Sequence, residues 1–167
     1  SNFAAGILIV IYRPYKVGDY IQADSHLGTV LDIQIFSTVL KTPDNKLVIV
    51  PNGSIMNGSI VNFSHQAERR VDIIASCSYD DDIDKVKSVL TDILSKDERI
   101  LSEPKPRIAL SELADSSVNF IVRPWVKNAD YLDVYYSLLE EIKKRFDQEG
   151  ISIPYPQSDV HIHNHSE

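Results

Sequence analysis

The sequence has few of the residues from which most enzyme and metal sites are built. Cys77 is its single cysteine, which excludes an intrachain disulfide, a C-x-x-C motif and a cysteine-rich zinc site. No glycine-rich phosphate loop, H-E-x-x-H helix or Ser/His/Asp arrangement of family-type spacing occurs. We therefore expect no enzyme activity, no bound cofactor and no metal site.

Positive charge is also scarce. The chain has 17 Lys and Arg against 24 Asp and Glu, a formal net charge of -7, and no Lys/Arg-rich run. A nucleic-acid partner normally requires a basic surface, so we expect none. The hydrophobic content of 43% is ordinary for a globular protein, and 167 residues can form one domain or two small ones.

An apolar run occupies residues 3–12 and is hydrophobic on every side of a helix. Such a helix must be buried in protein or lie in lipid, and its length of about 15 Å is roughly half of a bilayer core. Pro14 disfavours helix at the residue before it, so we expect the helix to end near Tyr12 or Arg13. Arg13 and Lys16 follow where membrane helices carry positive cytoplasmic flanks.

Small residues at Ala4, Ala5 and Gly6 would allow this helix to pack closely against other helices in a membrane. Periodicity alone also permits a buried strand or a core helix of a soluble protein.

Five short segments rich in β-branched and aromatic residues follow, separated by turn signals that include Pro51-Asn52-Gly53. These expected strands are Asp19–Gln22, Gly28–Phe36, Thr38–Thr42, Leu47–Val50 and Ser59–Phe63. Their number and short length predict a small, strongly bent β-barrel.

The pattern changes after a linker around residues 65–68. Its order is strand, helix, strand, strand, helix, with a last strand near 151–153, which predicts a ferredoxin-like α+β layer. The expected elements are a strand at 71–77, a helix from Ile83, strands Arg107–Leu113 and Ser117–Val126, and a second helix capped by Gly150.

The C-terminal segment begins with the rigid connector Pro154-Tyr155-Pro156. Val160 and Ile162 then alternate with His161, His163 and His165, as in a strand. A lone terminal strand is unstable, so we expect partners from a symmetric oligomer. A metal-binding tract is the alternative for the histidines, and an exposed polar strand face is favoured.

Short motifs occur in a fixed order along nearly the whole chain. They are R-P-Y-K-V-G-D-Y-I at 13–21, G-T-V at 28–30, I-F-S-T at 35–38, I-V-P-N-G at 49–53, N-F-S at 62–64, Y-D-D-D-I-D at 79–84, S-S-V-N-F-I-V-R-P-W at 116–125 and G-I-S-I-P-Y-P-Q at 150–157. Together they resemble the small-conductance mechanosensitive channel (MscS) family, in the C-terminal half of a subunit.

The resemblance implies four parts. Residues 1–14 would be the second half of a pore-lining membrane helix, 15–64 an Sm-like β domain, 65–156 the ferredoxin-like domain, and 157–167 a strand of an oligomeric parallel β-barrel.

It further implies a homoheptamer in the inner membrane of a prokaryote, with residues 15–167 forming a cytoplasmic vestibule. Membrane tension would open the pore and release ions and small osmolytes. A soluble oligomeric Sm-like binding module is the alternative.

Two groups of residues are candidates for function within this frame. The family arrangement lays the apolar helix over the β domain, so Asn2 would bond to the turn at Asn52 and Gly53 and couple the two. Arg69, Arg70 and Asp72 would border the side portals of the vestibule. An ordinary charged strand start explains these three equally well.

Overall fold

The computed structural model describes residues 1–164. The chain divides into two compact units, Ser1–Ala67 (unit 1) and Glu68–Glu167 (unit 2).

Unit 1 begins with helix α1, Asn2–Tyr12. Ser1 caps its start, because the Ala4 backbone N–H donates to the Ser1 hydroxyl at 3.4 Å. Arg13 ends it in the left-handed conformation, with its N–H bonded to the Ile9 carbonyl. The helix therefore ends where Pro14 predicts that it should.

A five-stranded antiparallel sheet follows in the order β4-β3-β2-β1-β5. The strands are β1 (Tyr20–Ala23), β2 (His26–Ile33), β3 (Ser37–Lys41), β4 (Leu47–Pro51) and β5 (Ile60–Asn62). All five strands expected from the sequence are present. Their hydrogen bonding leaves β4 and β5 as two edges, so these bonds link an open sheet rather than a closed ring.

The core of unit 1 joins this sheet to both of its helices. Helix α1 contributes Ile9, and the short helix α2 (Asn52–Asn57) contributes Ile55. The remaining buried members come from the strands and from the segment after α1: Tyr15, Ile21, Ala23, Val30, Leu40 and Val50.

The expectation of a simple turn at Pro51-Asn52-Gly53 is wrong in one respect. These residues begin α2, with Pro51 as the residue before it. Pro51 has a φ of -58° and an extended ψ of 133°, which suits an entry into a helix as well as a turn.

Unit 2 contains β6 (Glu68–Arg70), β7 (Ile73–Cys77), α3 (Ile83–Lys96), β8 (Arg107–Leu113), β9 (Val118–Arg123), β10 (Trp125–Lys127) and α4 (Tyr131–Glu149). One antiparallel sheet has the order β7-β9-β8, and a second pairs β10 with β6. Both helices pack on one face of the larger sheet and build a core around Phe120 and Phe146.

Three expectations for unit 2 need correction. The strand expected at Ser117–Val126 is two strands, because Pro124 has no N–H and interrupts the ladder. Part of the expected linker forms β6. Residues 151–153 form no strand, and two hydrogen bonds tie them to the segment after β7: the Ser78 N–H donates to the Ser152 carbonyl, and the Ser152 N–H donates to the Asp81 carboxylate. The sheet therefore has three strands, one fewer than a complete ferredoxin-like layer.

Residues 154–164 form neither helix nor strand, and Val160 and Ile162 are exposed. The strand expected from Ser158 is thus absent in the part that the structure describes, and His165 lies outside that part. Its pairing in an oligomer stays a prediction. Among residues 1–164, no helix combines the length and the hydropathy needed to cross a bilayer.

Candidate functional site at the junction of helix α1 and the sheet

A chain of buried polar side chains lies beneath α1. The Tyr15 and Thr38 hydroxyls lie 2.8 Å apart, and Thr38 donates to Asn52 Oδ1 at 2.9 Å. With the Thr38 proton used in that way, Tyr15 is the donor to Thr38. All three residues are buried. Burial raises the pKa of Tyr15, which keeps its hydroxyl protonated and able to donate.

Asn52 fixes the start of α2 to the loop between β2 and β3. Its side-chain amide donates to the carbonyls of Gln34 and Ile35 at 3.0 and 3.2 Å. Its backbone N–H donates to the Phe36 carbonyl at 3.0 Å. Asn52 is therefore bonded on both sides, which accounts for an amide with no solvent exposure.

Asn2, the first residue of α1, bonds to Gly53, the second residue of α2. The Gly53 backbone N–H donates to Asn2 Oδ1 at 2.9 Å. This N–H belongs to the first turn of α2, where helix donors have no partner within the helix. The predicted hydrogen bond between Asn2 and this segment is therefore present, with Gly53 as its donor.

Two glycines allow α1 to lie this close. A Cβ on Gly6 would stand 2.4 Å from the Ile35 carbonyl oxygen and 2.8 Å from Asn52 Nδ2. A Cβ on Gly53 would stand 2.8 Å from Asn2 Oδ1. A side chain at either position would push α1 away from the polar residues below it.

The opposite side of α1 is apolar and exposed. Its large exposed side chains are Phe3, Ile7, Leu8, Val10, Ile11 and Tyr12. A contiguous apolar surface of this kind marks a contact with protein or lipid. Hydrogen bonds thus hold α1 at its first residue, Asn2, and at Tyr15 just after its end, and the outer face of the helix is exposed.

Comparisons with known proteins give matches over most of the chain. The family description "Mechanosensitive ion channel, beta-domain" matches residues 1–65, and "Mechanosensitive ion channel MscS, C-terminal" matches residues 71–153. The chain belongs to the MscS family.

Some relatives of the chain are named as channels. It is 50% identical over 163 residues to the small-conductance mechanosensitive channel of Edwardsiella ictaluri, covering 98% of this chain and 57% of that protein. The crystal structure of Helicobacter pylori MscS in its closed state superposes with a TM-score of 0.92 at 32% identity, over 98% of this chain and 65% of that one.

Arabidopsis thaliana MSL1 shares the fold, with a TM-score of 0.75 at 22% identity over 92% of this chain and 58% of that one. The chain spans little more than half of the length of the MscS relatives that it matches.

Two of the three small residues expected to pack against other helices, Ala5 and Gly6, are buried inside unit 1. Ala5 and Gly6 are buried within unit 1, where Gly6 faces Ile35 and Asn52, while Ala4 is exposed. Contacts inside the chain therefore explain two of the three residues. Packing of the group against neighbouring helices stays a prediction.

Arg13 and Lys16, the predicted membrane-interface flank, are both exposed after the end of α1. Arg13 has a φ of 48°, and the Lys16 backbone N–H donates to the Asp19 carboxylate at 3.1 Å. Their side chains point to no acidic partner at hydrogen-bond distance among the described residues.

The three candidate portal residues lie at the start of unit 2. Arg70 donates twice to the Asp72 carboxylate, at 2.6 and 3.0 Å, and Arg69 stacks over the Tyr131 ring at 3.6 Å. The Asp72 partner raises the pKa of Arg70. This geometry fits a charged strand start and also a charged rim, so the portal role stays a prediction.

Sequence reasoning missed Tyr15 and Thr38. Tyr15 carries a weak signal, since it is an aromatic residue directly after the Arg13-Pro14 helix stop. Thr38 carries none, because threonine is common in strands and its burial depends on contacts 14 and 23 residues away.

Proposed function

We propose that the chain is the C-terminal half of a mechanosensitive channel subunit, in which α1 is the second half of the pore-lining helix. The channel opens under membrane tension and releases ions and small osmolytes during hypo-osmotic shock. Seven copies form the channel in the inner membrane of a prokaryote, and residues 15–167 form a vestibule on its cytoplasmic side.

The observation that carries this proposal is the condition of α1. It is apolar over its whole outer face, yet a hydrogen bond joins Asn2 to α2, and Tyr15, just beyond the end of α1, bonds to Thr38 of β3. An exposed apolar helix is costly in water, so a contact with lipid or with other pore helices explains it. The membership of the MscS family agrees with this role.

Gating then depends on the membrane area that each state of the channel occupies, and it requires no chemical reaction. Tension favours whichever state has the larger area in the membrane plane, and the protein supplies two packings that differ in it. The Gly53 to Asn2 bond favours the state in which α1 lies on the sheet. One such bond contributes about 1 kcal/mol, which changes a two-state ratio severalfold, and the effect accumulates over the subunits.

Patch recordings of the full-length protein test both levels of the proposal. Wild-type patches should show currents that rise with suction in cells without other mechanosensitive channels. Absence of such currents, with the protein present in the membrane, would overturn the channel function.

The coupling is tested by the variants Asn2→Ala and Asn52→Ala under sustained tension. We expect both to change desensitisation and recovery. Asn57→Ala is the matched control, because Asn57 is exposed at the end of α2. If both variants behave as wild type while currents persist, the coupling is absent and the channel function stands.

A further inference from the structure

One face of the larger sheet in unit 2 carries a cluster of arginines that is out of keeping with an acidic chain. Arg107 on β8 and Arg123 on β9 are direct partners in the antiparallel register. Their neighbours Ile108 and Val122 belong to the core side, so both arginines point to the opposite face. Side chains directly opposite have Cβ atoms about 5 Å apart, and like charges in such a pair are destabilising.

Asp72 compensates only part of this charge. Its carboxylate takes a two-pronged contact from Arg70, at 2.6 and 3.0 Å, and lies 3.6 Å from Arg123 Nε, beyond hydrogen-bond distance. Asp72 thus lies beside two guanidinium groups, Arg70 and Arg123, and Arg107 lies opposite Arg123. These four side chains carry a net charge of +2 in a chain of formal charge -7.

Two donors of the cluster have no acceptor among residues 1–164. Arg123 Nε is inaccessible to solvent and makes no hydrogen bond. A buried donor without a partner carries the full cost of its lost hydration. The Arg107 guanidinium is exposed and has neither a hydrogen bond nor an ion pair in the described part of the chain.

From this arrangement we infer that Arg107 and Arg123 form a binding site for a small oxoanion, a phosphate or a carboxylate. Guanidinium forks match the spacing of oxygens in these groups and bind them through paired, charge-assisted bonds. Asp72 already shows the chemistry from within the chain, since its carboxylate occupies the Arg70 side of the cluster. An added oxoanion takes the Arg107 side. This site goes beyond the proposed channel function and is testable without it.

Titration of the chain with inorganic phosphate, at an ionic strength held constant with chloride, tests the inference. The readouts are the heat of binding and the NMR signals of the arginine Nε–H groups. We expect a saturating response that moves the Arg123 Nε–H signal. A second titration with acetate shows whether a carboxylate binds at the same place.

Variants distinguish phosphate binding at this site from non-specific attraction of phosphate to positively charged side chains. Arg107→Gln and Arg123→Gln should each weaken phosphate binding by roughly tenfold, the loss of one charge-assisted bond pair. Asp72→Asn should strengthen binding, because it frees Arg70. Lys87→Gln removes the same charge from α3, on the other face of the sheet, and should change nothing.

A linear, non-saturating response to phosphate would overturn the site. So would equal binding by wild type, Arg107→Gln and Arg123→Gln. Arg107 is exposed, so its variant should fold normally, and the melting temperature of each variant checks that.

Discussion

The two units are stabilised in different ways. Among the described residues, the buried side chains with a hydroxyl, amide or carboxylate group all lie in unit 1: Tyr15, Asp19, Thr38 and Asn52. The core of unit 2 is built from apolar side chains and Cys77. Among the described residues, the ion pairs lie mostly in unit 2, as Arg70–Asp72, Arg99–Asp97 and Arg145–Asp92 do, and Lys46–Asp44 is an ion pair of unit 1.

This difference matches what the interactions of each unit position: a core in unit 2, and the helix α1 against the sheet in unit 1. Apolar burial is strong but has no direction, so it holds unit 2 together without specifying one exact position. Hydrogen bonds are directional, and a buried polar group that loses its partner is costly. The chain Tyr15–Thr38–Asn52 with the Asn2–Gly53 bond therefore defines one position of α1 on the sheet. We therefore expect single polar substitutions to shift the position of α1 in unit 1, and the fold of unit 2 to tolerate such substitutions.

The largest expected effect is in the core of unit 2. Phe120 has no solvent exposure, and Phe120→Ala should destabilise that unit by about 3–5 kcal/mol through lost burial and a cavity. Urea unfolding followed by the fluorescence of Trp125, the only tryptophan, reports on this unit. Leu132→Ala, exposed on α4, is the control and should change little. A cost for Phe120→Ala under about 1.5 kcal/mol would contradict an apolar core as the main source of stability.

Unit 1 should respond most strongly to Asn52→Ala. The substitution leaves the Thr38 hydroxyl and the carbonyls of Gln34 and Ile35 without their partner. We expect a loss of about 3 kcal/mol, seen as faster amide hydrogen exchange in α1 and α2. Asn57→Ala is again the control. Unchanged exchange in α1 would mean that the polar residues do not hold that helix.

Tyr15→Phe should have a smaller effect with a characteristic pH dependence. The variant leaves the Thr38 hydroxyl without its donor and should cost about 1 kcal/mol at neutral pH. In the wild type, burial raises the pKa of Tyr15 above its usual value near 10. That stability is fully present below about pH 10 and is lost as pH rises through the folded value.

The protection of unit 1 amides, which is the slowing of exchange relative to the intrinsic base-catalysed rate, should therefore fall above about pH 10 in the wild type and less so in Tyr15→Phe. Tyr12→Phe, at an exposed tyrosine, serves as the control. An alkaline loss that is identical in all three proteins would assign it to groups other than Tyr15.

The same contrast explains what the sequence could predict. The end of α1 at Arg13 follows from Pro14, the cap at Gly150 follows from a glycine behind an amphipathic run, and β8 occurs at the expected residues 107–113. These are local rules. The Asn2 bond to the α2 segment was expected from the family resemblance, which places the apolar helix over the β domain, and not from a local rule.

Features that depend on distant contacts were not predictable. Helix α2 has six residues, too few to show a repeating helical pattern of apolar side chains, and Pro51-Asn52-Gly53 is equally a turn signal. The missing strand at 151–153 depends on which sheet edges pair, whereas the split at Pro124 follows from a local rule, the absence of an N–H in proline, that the expectation of a single strand at Ser117–Val126 did not apply. The burial of Thr38 depends on Tyr15 and Asn52, which no pattern around Thr38 reveals.

The smallest expected effect is the loss of one ion pair of unit 2 in acid. Arg99 donates to Asp97 at 2.8 and 2.7 Å, and this hydrogen bonding holds the pKa of Asp97 below its usual range. The pair is partly exposed, so its contribution is at most about 1 kcal/mol. Because the folded pKa is depressed, the contribution is present above about pH 4 and is lost as pH falls through the folded value.

Asp97→Asn should lower the free energy of unfolding of unit 2 at pH 7 by at most about 1 kcal/mol, measured with Trp125 fluorescence. The variant should match the wild type more closely as pH falls below about 4. Glu98→Gln provides a neighbouring carboxylate that has no ion pair among the described residues, and it should leave the stability at pH 7 unchanged. A constant difference between wild type and Asp97→Asn from pH 7 to pH 2 would show that the pair is not the origin of the effect.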